Sequence, residues 1–298
     1  MIISKEKHIF VMDKENIPAA RVNLPCRLTF ETLDCFSEQI KTVDDTLECI
    51  NFEQVNPATG PVYFEQVQPG DVLAIDINDI RVKSPGKMVA APGAGVLGNL
   101  IEKSETLILP IENEKIQFKD LQLPLKPMIG VIGVAPAGEP LPCGVPNNHG
   151  GNMDTKLITA GTTLFLPVQV EGALLAIGDL HALMGDGEIM VSGVEVSGEV
   201  DVSVRKAEGL KINNPLLKTD QELIFFASAA TLDEAVEMAT KDMANFLTEK
   251  TDLSLNEAGM LMSACGNAQI SQVVDPLKTA RFSMPLEILS KLGVKLDF

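Results

Sequence analysis

The segment Val191–Val204 reads VSGVEVSGEVDVSV, with apolar and polar residues alternating almost without a break. Successive side chains of a strand point to opposite faces, so this period of two predicts one long strand or a pair of strands. No helical reading puts those valines on one stripe. The rest of the first two thirds agrees. Short apolar runs at Arg21–Phe30, Val62–Phe64, Val72–Ile80, Thr106–Ile111 and Met128–Val134 are separated by Pro, Gly and Asn, the pattern of a β-rich chain. In Val72–Ile80, VLAIDINDI follows the turn residues Val67–Asp71 and alternates as a half-buried strand does. Thr162–Val170 and Ala173–Ala182, joined at Glu171-Gly172, read as a hairpin.

Helix signals cluster late. Thr231 and Glu234 stand three apart ahead of an apolar-periodic run to about Leu247, and Ser254 and Glu257 repeat that capping box ahead of Ala258, Leu261 and Met262. Gln269–Asp275 and Lys278–Met284 read as two strands joined at Pro276. The expected fold is therefore mainly β with added α/β elements: a β-sandwich or barrel-like core, with helices in the C-terminal third. We expect one compact unit over residues 1–298, β-rich over 1–210 and α/β over 220–298. No repeat or linker divides it.

Composition removes several functions. The chain has 24 basic and 41 acidic residues, a formal charge of −17, which repels nucleic acid. No apolar stretch is long enough to span a membrane. The start, MIISKEKHIF, lacks the features of a signal peptide, so the cytoplasm is the expected compartment. Five widely spaced cysteines suggest neither a disulfide framework nor a zinc knuckle. Gly93, Gly95 and Gly98 fit G-x-G-x-x-G, but the next segment looks extended rather than helical, so we expect a closely packed glycine loop and no dinucleotide site. Ser192 lies in Val-Ser-Gly within the alternating run and lacks a nucleophile elbow.

Two segments hold the candidate chemistry. Only three histidines occur, and two lie in polar, glycine-rich settings. Asn147–Asp154 (NNHGGNMD) offers amide, imidazole and carboxylate groups in one loop. Its paired glycines permit close backbone approach to a ligand. Gly178–Glu188 (GDLHALMGDGE) begins as a strand, which places Asp179 and His181 on one face. That pair either holds a divalent metal or uses the carboxylate to orient the imidazole. His with carboxylate oxygens suits zinc, and oxygen ligands alone suit calcium.

With these two segments, Ile129–Ala137, Pro92–Gly95 and Gln272–Pro276, the chain resembles the acetamidase/formamidase family. The resemblance implies hydrolysis of a small amide to a carboxylate and ammonia, a divalent metal near the site, and a homodimer or higher homo-oligomer. On this hypothesis Asp154, Asp179 and His181, joined by Glu195 from the next strand, hold the metal. Glu188 or His149 is the general base and Asn152 stabilises the oxyanion. Asp186 joins the catalytic candidates. Two alternatives are a non-catalytic cation-binding β protein and an amidase using Cys143 as a thiol nucleophile.

Overall fold

The computed structural model describes residues 1–296 and 298. Among these, two nine-stranded sheets dominate and neither closes into a barrel. In the first sheet the order is Ile2–Ile3, Cys26–Thr32, Gly198–Lys206, Val72–Val82, Thr163–Pro167, Leu216–Lys218, Glu222–Ala229, Lys278–Pro285 and Asn267–Gln272. The second runs Gly150–Asn152, Met128–Gly133, Leu175–His181, Glu195–Val196, Gly86–Ala90 and Glu105–Leu109, with Ala58–Phe64 also pairing onto Leu175–His181.

The core lies between these sheets. Phe30, Leu73, Ile75 and Val202 from the first pack with Val62, Ile129, Ile177 and Leu180 from the second. The outer face of the first sheet is covered by helices α1 (Leu232–Lys250) and α2 (Leu255–Cys265), whose N-caps Thr231 and Ser254 both complete the expected capping boxes. A short helix α3 (Leu286–Lys291) follows the last strand. Strand Glu222–Ala229 shows both environments. Ile224 and Phe226 face the inter-sheet core, while Leu223, Phe225 and Ala227 face the helices.

That second layer corrects the half-buried expectation for Val72–Ile80. Leu73 and Ile75 enter the inter-sheet core, Val72 and Ala74 the helix layer. Within Val72–Ile80, Asn78 is exposed and Asp76 and Asp79 are partly exposed. The hairpin expectation is also corrected. Thr163–Pro167 pairs antiparallel with Val72–Val82 and Leu216–Lys218, whereas Leu175–His181 pairs in the other sheet. At the crossing Gly172, Ala173 and Leu174 all have positive φ, which turns the chain out of its sheet. Lastly, Val191–Val194 is loop; only Glu195–Val196 and Gly198–Lys206 of the alternating run form strands. Ser192 therefore sits in a loop, where its hydroxyl accepts the Val89 N–H.

Candidate functional site

Two neighbouring strands of the second sheet, and two turns beside it, bring five ionisable side chains together. Leu175–His181 supplies Asp179 and His181. The short Glu195–Val196 strand pairs His181 with Glu195 in register. Asp154 follows Gly150–Asn152, and Glu188 comes from the turn after His181. All five are buried. His181 Nε2 lies 3.2 Å from Glu195 Oε2, 3.3 Å from Asp179 Oδ1, 3.7 Å from Asp154 Oδ1 and 4.0 Å from Glu188 Oε1.

The backbone is bent to make this convergence. Asp154, Asp179 and Glu188 have φ of 37°, 52° and 48°. This left-handed region is uncommon for residues with a Cβ, and such strain, about 1–3 kcal/mol per residue, gathers at functional sites. Two hydrogen-bonded neighbours hold the Glu188 turn. Gly187 N–H donates to Ser271 O at 2.7 Å, and Val96 N–H donates to Ile189 O at 2.8 Å. The latter contact is what the Gly93–Gly98 loop packs against. Gly95 lies so close to Ile189 and Met190 that a Cβ there would stand 2.4 Å from the Ile189 carbonyl oxygen. No helix of dinucleotide-fold length follows; a short turn at Gly98–Leu100 leads to the strand Glu105–Leu109.

Burial and like charge set the electrostatics. Burial, reinforced by Glu188 and Asp179, pushes the Asp154 carboxyl well above the usual range. Burial likewise raises Glu188, although His181 opposes it. Glu195 rises to about 7 from 4.5, again by burial and against His181. Burial alone would keep His181 neutral, but Glu195 and Asp179 override it and raise the imidazole well above its ordinary 6.5. These shifts fix the sign of a stability effect. A raised carboxyl keeps its proton in the folded chain after the unfolded chain has lost it, so stability falls as pH climbs through that interval. For Glu195 the interval runs from 4.5 to about 7. A raised histidine stabilises below its ordinary value and loses that contribution as pH passes its folded one. Both act in the same direction. His149, lowered by burial to about 4 from 6.5, opposes this below 6.5, so we expect the thermal midpoint of metal-free protein to fall as pH rises from about 6.5 to 8, and saturating divalent cation to suppress the fall. Differential scanning fluorimetry with and without chelator measures this; a midpoint that rises over the same range would refute it.

The remaining candidates divide. Asn152 is buried and its Nδ2 donates to Asp275 Oδ2 at 3.0 Å, leaving Oδ1 without a partner. Asp186 lies apart from the cluster. Arg281 grips both its oxygens at 2.9 Å and Lys156 adds a contact of 2.7 Å, holding the carboxyl below its ordinary range despite partial burial. His149 is fully buried, with its ring against Gly151 and neither nitrogen hydrogen-bonded; burial lowers its pKa to about 4. It is not among the clustered groups. Cys143 packs with Met12, Ala58, Val131 and Ala176, its thiol raised by burial to about 12, and serves as a small hydrophobe.

Three site residues escaped the two segments. Cys35 is buried with Asp179 and Glu195, their ligand-type atoms within 4.8 Å of one another. Asn56 Nδ2 donates to Asp179 Oδ2 at 3.4 Å. Asp275 orients Asn152 and is itself raised by burial, then by Asp154 and Asp179. Asp275 lies inside the Gln272–Pro276 stretch that carries part of the family resemblance; Cys35 and Asn56 have no local signal.

These groups suit a divalent cation. Asp154 Oδ1, Asp179 Oδ1 and Glu195 Oε2 are buried without hydrogen-bond partners, which uncompensated charge would make costly. Asp154, His181 and Glu188 form a second grouping with ligand-type atoms within 4.8 Å. The carboxylates open onto a cavity of about 610 Å³, bounded also by apolar side chains of the 36–55 segment.

The fold and site thus define a class: a two-sheet β protein with a carboxylate–imidazole centre at the floor of one cavity. The family model described as "Acetamidase/Formamidase family" matches residues 12–143 and 140–291. The chain belongs to the acetamidase/formamidase family. An acetamidase from Bacillus halodurans, solved as a crystal structure, is 52% identical over 99% of this chain and 100% of its own, with a TM-score of 0.97. Among curated relatives, a Methylophilus methylotrophus formamidase is 24% identical over 63% of this chain and 62% of its own length. The Mycolicibacterium smegmatis acetamidase is 34% identical over 43% and 33%. The chain therefore spans less than two thirds of the curated relatives it matches. No helix among the described residues is long and apolar enough to cross a membrane.

Proposed function

We propose that this chain hydrolyses a small carboxamide to a carboxylate and ammonia at the Asp154–Asp179–His181–Glu188–Glu195 cluster. The observation that carries the reading is the burial of four carboxylates around one imidazole at the floor of a cavity, with three of their oxygens unpartnered. The family's named relatives support the choice of an amide.

Asp154, Asp179, His181 and Glu195 would hold a divalent cation, zinc or calcium. Bound there, the cation supplies Lewis-acid polarisation of the amide carbonyl or a water of lowered pKa. Glu188 is the base. Its burial makes it a stronger base than an exposed glutamate, so it takes a proton from the attacking water. It returns that proton to the amide nitrogen as the C–N bond breaks and ammonia leaves. His149 yields the role to Glu188 because its ring lies away from the cluster. Asn152 gains a second role. One of its two Nδ2 N–H groups is engaged by Asp275, so the free Oδ1 accepts an N–H of the substrate amide while the second N–H stays available to an oxyanion. A cytoplasmic homo-oligomer completes the reading.

The test is ammonia release from acetamide and formamide before and after chelation. We expect chelation to abolish at least about nine tenths of the activity and added zinc or calcium to restore it. Undiminished activity after rigorous stripping would remove the cation from the reaction. Cation-dependent stability without turnover on any amide would favour the cation-binding alternative.

A further inference from the structure

The cavity above the carboxylates is larger and more apolar than formamide or acetamide requires. Its volume of about 610 Å³ lies within the range of roughly 300–1,000 Å³ that accommodates ligands of many atoms. Its two chemistries are segregated. Cys35, Phe36, Ile50 and Val89 form one contiguous apolar cluster with Leu47 and Val55 against it. Cys35 is also the edge of the acidic group, within 4.8 Å of Asp179 and Glu195 ligand atoms. The apolar wall thus starts where the carboxylates end. At the mouth, Phe52 leaves 63% of its surface exposed while lining the cavity. Val191, on the opposite segment, holds a φ of 70°, a genuine outlier for a β-branched side chain, and lines the same space. Among the described lining residues none is Lys or Arg, whereas Glu48, Asp154, Asp179, Glu188, Glu195 and Asp275 are acidic. A substrate bearing a carboxylate finds no basic side chain there to pair with it.

We infer that the preferred substrate is a neutral primary carboxamide whose acyl group is an apolar chain of several carbons or a ring. Its amide sits at the carboxylate cluster and its acyl group lies along Leu47, Ile50, Phe52 and Val55. This rests on the amide-hydrolase reading and extends it to a substrate class. A hydrogen or methyl acyl group leaves that wall wet; each methylene laid against it removes apolar area from water.

The experiment measures ammonia release, with zinc or calcium supplied, from formamide, acetamide, butyramide, hexanamide, phenylacetamide and succinamate. We expect kcat/KM to rise about fourfold per added methylene, reaching roughly 250-fold over the four methylenes between acetamide and hexanamide, with succinamate below butyramide. Phe52 is a surface side chain, so Phe52→Ala is expected to fold. It should lower the hexanamide-to-acetamide ratio of kcat/KM about fivefold or more. A flat or falling series with measurable acetamide turnover would overturn the long-acyl inference and leave amide hydrolysis standing. So would an F52A ratio equal to the parent's. Ammonia from none of these amides would overturn the hydrolytic reading beneath it.

Discussion

Glu188→Gln is expected to lower kcat by about 10²- to 10⁴-fold, the usual contribution of a positioned proton-transfer group. KM should change little, because the amide side chain keeps the shape of the site. The variant should also be more stable than the parent in metal-free buffer near neutral pH. Burial raises the Glu188 carboxyl, so ionising it in the folded chain is unfavourable, and glutamine removes that term. Lower activity with higher stability is a signature that general damage to the fold does not produce. Glu188 also stands in the grouping with Asp154 and His181, so the alternative role is a ligand. The rise in thermal midpoint on adding zinc or calcium separates the two. A base leaves that rise intact, and a ligand loses it together with kcat. Activity within threefold of the parent would exclude both roles.

How far such a site can be read from sequence depends on the distance between its parts. Asp179 and His181 were legible because they stand two apart in an apolar run, and they do meet at 3.3 Å. The simple strand geometry behind that expectation is not what brings them there. Asp179 is left-handed at φ 52°, so the side chain is aimed by a local distortion that period-two reasoning omits. Glu195 was legible as a carboxylate on the following strand, and its register with His181 agrees. Asp186 looked equivalent to Glu188, two residues away in Gly-Asp-Gly-Glu. What divides them is Arg281, a partner 95 residues on. Cys35 and Asn56 are the same problem from the other side. Asn56 reaches Asp179 because Ala58–Phe64 pairs with Leu175–His181 in the second sheet, and Cys35 because Cys26–Thr32 of the first sheet packs across onto that strand; neither sits in a pattern of its own.

The fold shows the same division. The capping boxes of α1 and α2 are local devices and held residue for residue. The hairpin at Glu171-Gly172 failed because turn chemistry reports that a chain turns, while burial decides where it goes next. Leu164 and Leu166 bury into the inter-sheet core and Phe165 into the helix layer. That strand needs a layer on each side, which a lone hairpin cannot supply. Leu175–His181 is buried at every residue and finds partners on both edges in the other sheet.

Gly130→Ala should remove activity by about 100-fold or more, for a reason independent of any proton transfer. Gly130 lies in the strand Met128–Gly133, beside Leu175–His181. A Cβ there would stand 2.5 Å from Asp154 Oδ1, 2.7 Å from Asp179 Oδ2 and 2.9 Å from the Asp179 carbonyl oxygen. The strand cannot retreat, since its neighbours Ile129 and Val131 are fully buried and registered against Leu180 and Gly178. The carboxylates must yield instead, by roughly an ångström, a displacement able to cost about 10²-fold in rate. Overpacking also destabilises by about 1–3 kcal/mol. Gly193→Ala presses on the same centre from its other side. A Cβ there would stand 2.6 Å from His181 Nδ1, turning the imidazole whose Nε2 the carboxylates surround. Gly138→Ala is the control, because a Cβ there meets nothing within 4 Å. Steady-state ammonia release, thermal midpoints and bound-metal analysis on the three variants check the argument. G130A and G193A should lose activity and cation affinity together while remaining folded, and G138A should match the parent. Parent-like kcat/KM in G130A would mean that Asp154 and Asp179 need not be held where the structure puts them, and the cluster would lose its place as the centre of the reaction.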